Sequence, residues 1–163
     1  MSIYGTLVGF RAYLAERGLT ATGSDSDVTA AAKLLVASEW LDGRYRRQFP
    51  GLKVGGRSQV REWPRNGAQD RDGYPIPADT PPVEVEYATY EATVRELNSA
   101  GSLTVDFTPS AYRRAAVSGA ISVEYAPVIS AAEVQTQFQT IDLILAKILC
   151  DDDDSWLSGE AAR

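Results

Sequence analysis

Apolar positions recur at helical spacing in four stretches of the chain and at strand spacing in two. Leu7, Phe10 and Leu14 step by three and four, which predicts a helix over residues 6–17 with Gly18 as its stop. A polar loop follows, in which Ser26 or Asp27 offers a cap for a second helix over 28–45. Val28, Ala31, Leu35, Ser38, Leu41 and Tyr45 mark one face of that helix. A third opens at Thr80, Pro81 and Pro82, with proline in the first turn and Glu84 near the positive end. Its apolar positions are Val83, Tyr87, Tyr90, Val94 and Leu97, and Gly101 closes it. The fourth starts from a capping box, Ser130 with Glu133, and carries Val134, Phe138, Ile141, Leu145 and Ile148, with Ile144 and Leu149 widening the face. Between the last two helices, Leu103, Val105 and Phe107 alternate with polar residues, as do Ile121, Val123 and Tyr125. These two strands are expected to pair as a hairpin within about 103–126.

Periodicity disappears from residue 46 to 82. Six of the eight prolines (Pro50, Pro64, Pro75, Pro77, Pro81 and Pro82) lie there and forbid a long regular element, although 59–63 suit a short edge strand. A loop of this length is uncommon unless it is functional or packs on a neighbour. The expected architecture is therefore mainly α: four helices, a small β-hairpin, and a long irregular arm between helices two and three. One domain spans 1–149, and residues 150–163 form an acidic tail.

Composition narrows the chemistry. Histidine is absent, which removes the commonest general base, the commonest zinc ligand and any Ser–His or Cys–His pair. A single cysteine, Cys150, excludes an internal disulfide and a four-cysteine zinc site. Carboxylate enzymes survive this filter, but nothing fixes two acids opposite a substrate. The expectation is a protein without catalytic residues, cofactor or metal. Asp70, Asp72 and Gly73 resemble the start of a calcium loop, yet the twelfth position is Pro81 where a glutamate is required, so a polar turn is the better reading. No apolar run approaches the roughly 20 residues of a membrane span. The N-terminus lacks a signal-peptide pattern, so a soluble, cytoplasmic chain with no membrane partner is expected.

Charge is segregated. Residues 44–71 hold eight basic side chains against two acids, a local net of +6 in a chain whose net is −6. Such polarity suits a surface: nucleic acid, a protein partner, or another copy. Interleaved Tyr45, Phe49 and Trp63 would stack on bases. The pI near 4.7 argues against nucleic acid, and 13 arginines against three lysines favour protein interfaces, where a planar fork pairs carboxylates. The candidate interface residues are Arg44, Arg46, Arg47, Phe49, Arg57, Arg61, Trp63 and Arg65, with Glu84, Glu86, Glu91 and Glu96 of helix three as recipients. Asp151, Asp152, Asp153 and Asp154 stand at the unfavourable end of helix four. With Trp156 and Leu157 just beyond them, they read either as a docking peptide or as a disordered end.

Several local signatures carry a resemblance: Tyr4-Gly5-Thr6 opening a helix, Leu41-Asp42 and Arg44-Tyr45 closing the second, Phe49-Pro50-Gly51, then Gln59 with Trp63-Pro64-Arg65, and Asp72-Gly73. In this order, and with the strand at 121–125 and the helix at 141–149, they resemble a tailed-phage family over about residues 4–149. Its members are often labelled DnaT-like single-stranded-DNA-binding proteins, while their setting is that of head–tail connector adaptors. The resemblance implies a connector-type helical subunit that joins a ring, usually of twelve, beneath the portal protein in the neck of the virion. Assembly would occur in the host cytoplasm. The ring would extend the channel for genome DNA without sequence-specific binding and provide the platform for the next neck or tail protein. No catalytic residues are carried over. The portal-docking role of Asp151 to Leu157 lies outside the shared pattern, and the alternative function is single-stranded-DNA binding.

Overall fold

The computed structural model describes residues 2–19, 26–104 and 138–150, and the backbone of 114–117 and 121–124. These residues hold four helices: α1 (Leu7–Glu16), α2 (Asp27–Tyr45), α3 (Val83–Asn98) and α4 (Gln139–Leu145). They also hold four short strands: β1 (Leu52–Lys53), β2 (Arg65–Asn66), β3 (Arg114–Val117) and β4 (Ile121–Glu124). The expected class, mainly α with a small antiparallel hairpin, is the class observed. The chain divides into two units, Met1–Thr104 with Gln139–Arg163, and Val105–Phe138.

In the first unit α3 is the central element, in contact with α1, α2 and α4. The sequence makes that position affordable, because small side chains (Ala88, Thr89, Ala92, Thr93) are buried on it. Thr89 and Thr93 return their hydroxyl protons to the carbonyls of Val85 and Thr89, at 2.8 and 2.7 Å, so neither brings an unpaired donor inside. Phe10, Tyr13 and Leu14 of α1, Ala30 and Leu34 of α2, and Tyr90 and Val94 of α3 form one cluster. Its aromatic rings are tilted at centroid separations of 5.4 Å (Tyr13–Tyr90) and 5.7 Å (Phe10–Tyr90).

Local signals explain the helix ends. Thr6 caps α1 by accepting the Gly9 N–H at 3.0 Å, and Ser26 caps α2 by accepting the Thr29 N–H at 3.2 Å. Past the end of α1, the N–H groups of Gly18 and Leu19 return to Ala15 and Leu14, the paired closure of a helix that stops at glycine.

Residues 59–63 form no strand, and Val83 and Tyr87 of the expected α3 stripe are exposed; three further expectations need correction. On α2 the buried face is Ala30, Leu34, Ala37, Ser38, Leu41 and Tyr45; Val28 and Ala31 are exposed and Leu35 only half-buried. Runs of alanine and paired leucines leave the register of that half ambiguous in sequence, and the α1 contact selects the residue one step earlier. On α3, Glu91 and Glu96 are buried and do not stand ready to receive the arginines of the arm. Glu91 accepts the Tyr13 hydroxyl at 2.9 Å and pairs with Arg17 at 3.3 Å; Glu96 pairs with Lys33 at 3.1 Å and accepts the Gly101 N–H at 2.9 Å. Burial alone would raise the Glu96 carboxyl, but the Gly101 N–H and Lys33 prevail and hold it below the ordinary glutamate range. Thirdly, the partner of β4 is β3, with Arg114 opposite Glu124 and Val117 opposite Ile121, rather than the stretch from Leu103. Leu103 is instead buried in the first unit.

Helix α4 buries Ile141 and Leu145, with Ile148 just after it. Its expected capping box and Val134 lie outside the described residues. Beyond Leu145 the chain is pinned twice: the Cys150 N–H donates to the Gln48 carbonyl at 2.8 Å, and the Arg71 N–H donates to the Lys147 carbonyl at 2.9 Å. The segment taken for a polar turn is one: Asp70 Oδ1 accepts the N–H groups of Asp72 and Tyr74 at 3.0 and 2.8 Å.

Gly51 holds the turn into β1 at φ 70°, and a Cβ there would meet the Asn66 carbonyl oxygen and stand 2.7 Å from the Ala68 nitrogen. Both neighbours are backbone and cannot step aside. Gly51→Ala is expected to lower unfolding free energy by about 2 kcal/mol or more, read from the urea midpoint at unchanged slope.

Candidate functional site

The arm leaves α2 and is folded hard onto the helices. Phe49 and Trp63 meet edge to face, with centroids 5.7 Å apart, and Trp63 is only 2 % exposed. Burying such rings contributes on the order of 2–3 kcal/mol each. The indole Nε1 finds no acceptor among the described residues, so the ring serves by its volume. β1 and β2 pair antiparallel, Leu52 opposite Asn66 and Lys53 opposite Arg65. Beyond β1 the chain makes a knob, residues 54–60, around a single 3-10 turn, Gly56–Ser58. Gln59 locks it: its Oε1 accepts the Gly55 N–H at 2.9 Å, and its Nε2 donates to the carbonyls of Arg61 and Pro64.

Two arginines fasten the arm. Arg65 donates to the carbonyls of Pro50 and Gly51, both at 2.7 Å, and pairs with Glu62 at 3.0 Å. Arg61 donates to the Ser2 carbonyl at 2.7 Å, pairs with Asp42 at 3.3 Å and reaches Glu39 at 3.6 Å. Asp42 also accepts the Tyr4 hydroxyl, and Tyr4 in turn accepts the Trp63 N–H at 3.1 Å while its own N–H donates to Ser38 Oγ. One junction thus ties the N-terminal leader, α2 and the arm. Burial pushes the Asp42 carboxyl above the usual range, against the pull of Tyr4, the Glu62 N–H and Arg61. Burial, reinforced by the adjacent carboxylates, also raises the hydroxyls of Tyr4 (beside Asp42), Tyr13 (beside Glu91) and Tyr45 (beside Asp142).

This placement divides the eight arm residues expected at an interface. Phe49, Arg61, Trp63 and Arg65 are interior, with Arg61 and Arg65 only 5 % and 8 % exposed. They belong to the packing of the subunit itself, because nearby Asp42 and Glu62 and a set of backbone carbonyls satisfy them. Arg44 is half-buried and stacks over Trp40 and Tyr45, 5.6 Å from each centroid. Arg46, Arg47 and Arg57 are exposed. Tyr45, the third aromatic offered for base stacking, is also buried. Asp151, Asp152, Asp153, Asp154, Trp156 and Leu157 lie outside the described residues.

Sequence reading missed Tyr4, Asp42, Gln59 and Glu62 as the arm's own partners. The signal available was an acid just before the basic segment, Asp42, and one in its middle, Glu62. It also missed the apolar side chains the arm leaves in solvent: Leu52 and Val60 are 76 % and 79 % exposed, and Val54 is partly so. Among the described residues no three acidic, histidine or cysteine side chains gather to hold a metal, and no helix is long and apolar enough to cross a membrane.

Comparison places these features in a family. The model described as "Putative DnaT-like ssDNA binding protein" matches residues 3–163. The chain belongs to that family. The match takes in the leader with Tyr4, the α2 end with Asp42 and the arm with Arg61, Trp63 and Arg65. No curated protein and no solved structure matches the chain.

Arg61→Ala leaves Asp42 buried without its cation and is expected to cost about 3 kcal/mol or more, whereas Arg57→Ala, at an exposed site, should stay within about 0.5 kcal/mol. Chemical denaturation of the two variants beside the parent chain reads both.

Raised tyrosine pKa values set an alkaline limit. The hydroxyls of Tyr4, Tyr13, Tyr45 and Tyr90 keep their protons in the fold at pH values where the unfolded chain gives them up. Their contribution is fully present below the unfolded tyrosine pKa of about 10 and is lost as pH rises from there toward the folded values. Unfolding free energy is therefore expected to fall steadily above about pH 10, with tyrosinate absorbance rising together with loss of helix.

Proposed function

We propose that this chain is a structural head–tail adaptor of a tailed bacteriophage, a subunit without catalytic role that joins copies of itself into a ring under the portal. By the resemblance the ring has twelve copies, extends the channel for genome DNA, and carries the next neck or tail protein. The acidic tail, through Asp151 to Asp154 with Trp156 and Leu157, docks on the portal protein. The site of action is the neck of the virion, reached after assembly in the host cytoplasm.

One observation carries the choice of assembly over nucleic-acid binding. The three aromatics that would stack on bases, Tyr45, Phe49 and Trp63, are all buried, while the arm leaves Leu52, Val54, Val60 and Arg57 exposed. Preorganised apolar side chains next to arginine suit a protein partner. Phosphates would find only scattered guanidinium groups.

The second reading, single-stranded-DNA binding, is favoured by the description of the family itself. It would rest on Arg46, Arg47 and Arg57. Three phosphate contacts on a single strand, each releasing about 0.7 of a counterion, predict a roughly 20-fold loss of affinity between about 50 and about 200 mM salt.

Purified protein mixed with portal is expected to give rings in negative-stain images, and labelled single-stranded DNA is expected to bind weakly at about 200 mM salt. Tight, saturable DNA binding with that salt slope, and no rings on portal, would transfer the assignment to the second reading.

A further inference from the structure

The arm displays its knob and the helices display a place to receive it. Between α3 and α4 runs an open, mostly apolar groove of about 410 Å³, lined by Val83, Tyr87, Leu143 and Ile144 with Glu84 and Lys147. Leu143 is two-thirds exposed and Val83 about half, so among the described residues the groove is an uncovered seam. Contiguous apolar surface in water marks a contact site, whereas isolated exposed valines such as Val8 and Val28 need no explanation.

We infer that the knob of one copy seats in the α3–α4 groove of the next, Leu52, Val54 and Val60 filling it and Arg57 meeting Glu84. This rests on the adaptor reading and names the seam by which the ring closes. Three observations point to a second copy as the occupant. The one charged side chain of the knob is the exposed Arg57, with no acid anywhere from 43 to 61, while the groove holds Glu84 and the same turn of α3 adds Glu86, against one base, Lys147. The knob is held in shape by Gln59 and by the Arg65 clamp, so it arrives preformed and loses little freedom on docking. Those same bonds hold it within the arm, to Arg61, Pro64 and β2. A projecting element and its receptor at different places on one chain form a heterologous contact, and such contacts generate rings when the rotation closes.

The test uses the full chain with Cys150→Ser as background. Val60→Cys is made in one pool and Leu143→Cys in another, both at exposed positions, and the pools are mixed with a short bismaleimide, alone and on portal. The expected result is a mixed dimer of the two pools, well above a control in which Val28→Cys replaces Val60→Cys. A chain carrying both cysteines should give a ladder that ends at the ring. Arg57→Glu should reduce cross-linking about tenfold, and Glu84→Arg in the receiving pool should restore it. Rings in negative stain with Val60 and Leu143 linked no better than the control would overturn the seam and leave the adaptor reading standing. Absence of rings and cross-links together, with salt-sensitive capture of single-stranded DNA, would overturn both.

Discussion

The pairing of Arg61 with Asp42, closed by Tyr4, is the constraint on which the rest of the molecule depends. The arm is too rich in proline and glycine to satisfy its backbone by ladders, since β1 and β2 have two residues each. Buried carbonyls must still find donors. Here side chains supply them: Arg61 serves the Ser2 carbonyl, Arg65 those of Pro50 and Gly51, and Gln59 those of Arg61 and Pro64. Guanidinium suits this work because its planar fork offers five donors to several acceptors at once. The accompanying charge then has to be neutralised inside, which explains why Asp42 and Glu62 stand where they do. A buried pair of this kind adds little net stability over an apolar substitute but selects one conformation among many. In an irregular segment that selection is the main requirement.

Several residues of the short signatures read from the sequence are mutual partners. Tyr4 meets Asp42 and the Trp63 amide; the Tyr90 hydroxyl accepts the Thr6 N–H at 3.1 Å. Gly5, at φ 72°, leaves no room for a Cβ beside that hydroxyl. Phe49 meets Trp63, and Arg65 returns to Pro50 and Gly51. Residues far apart in sequence converge because they build a fold.

That convergence also explains what could be read from the sequence. Helix positions were legible because caps and stops are local: Thr6, Ser26 and Gly18 act within a few residues. Of the apolar stripes, those of α1 and the described part of α4 held, while α2 slipped by one residue in its first half, where Ala30, Ala31 and Ala32 carry almost no amphipathic signal. Glu91 and Glu96 were misread because helix burial on several sides is a tertiary fact, visible only once Tyr13, Arg17 and Lys33 arrive from elsewhere. The arm shows the same limit more sharply. A net of +6 over residues 44–71 is true of the string, yet Arg61, Arg65 and Lys53 spend their charge on Glu39, Asp42 and Glu62. Formal charge counts what a segment carries and says nothing about what it turns outward.

This internal neutralisation changes how an assembly built from the chain would work. If the whole basic segment faced a neighbour, contact between copies would be governed by exposed ion pairs worth about 0–1 kcal/mol each and weakened by salt. In the proposed assembly, with Arg61 and Arg65 withdrawn, the exposed apolar side chains of the arm would supply most of the association energy and Arg57 would set partner and register. One small apolar knob is too little to hold two free copies together at ordinary concentration, where association must first offset lost translational and rotational freedom. On a surface that already gathers the copies, each contact becomes effectively intramolecular and the same knob suffices. A subunit that stays apart in solution and closes into a collar only when seated on a partner is what this balance of buried charge and exposed apolar side chains favours.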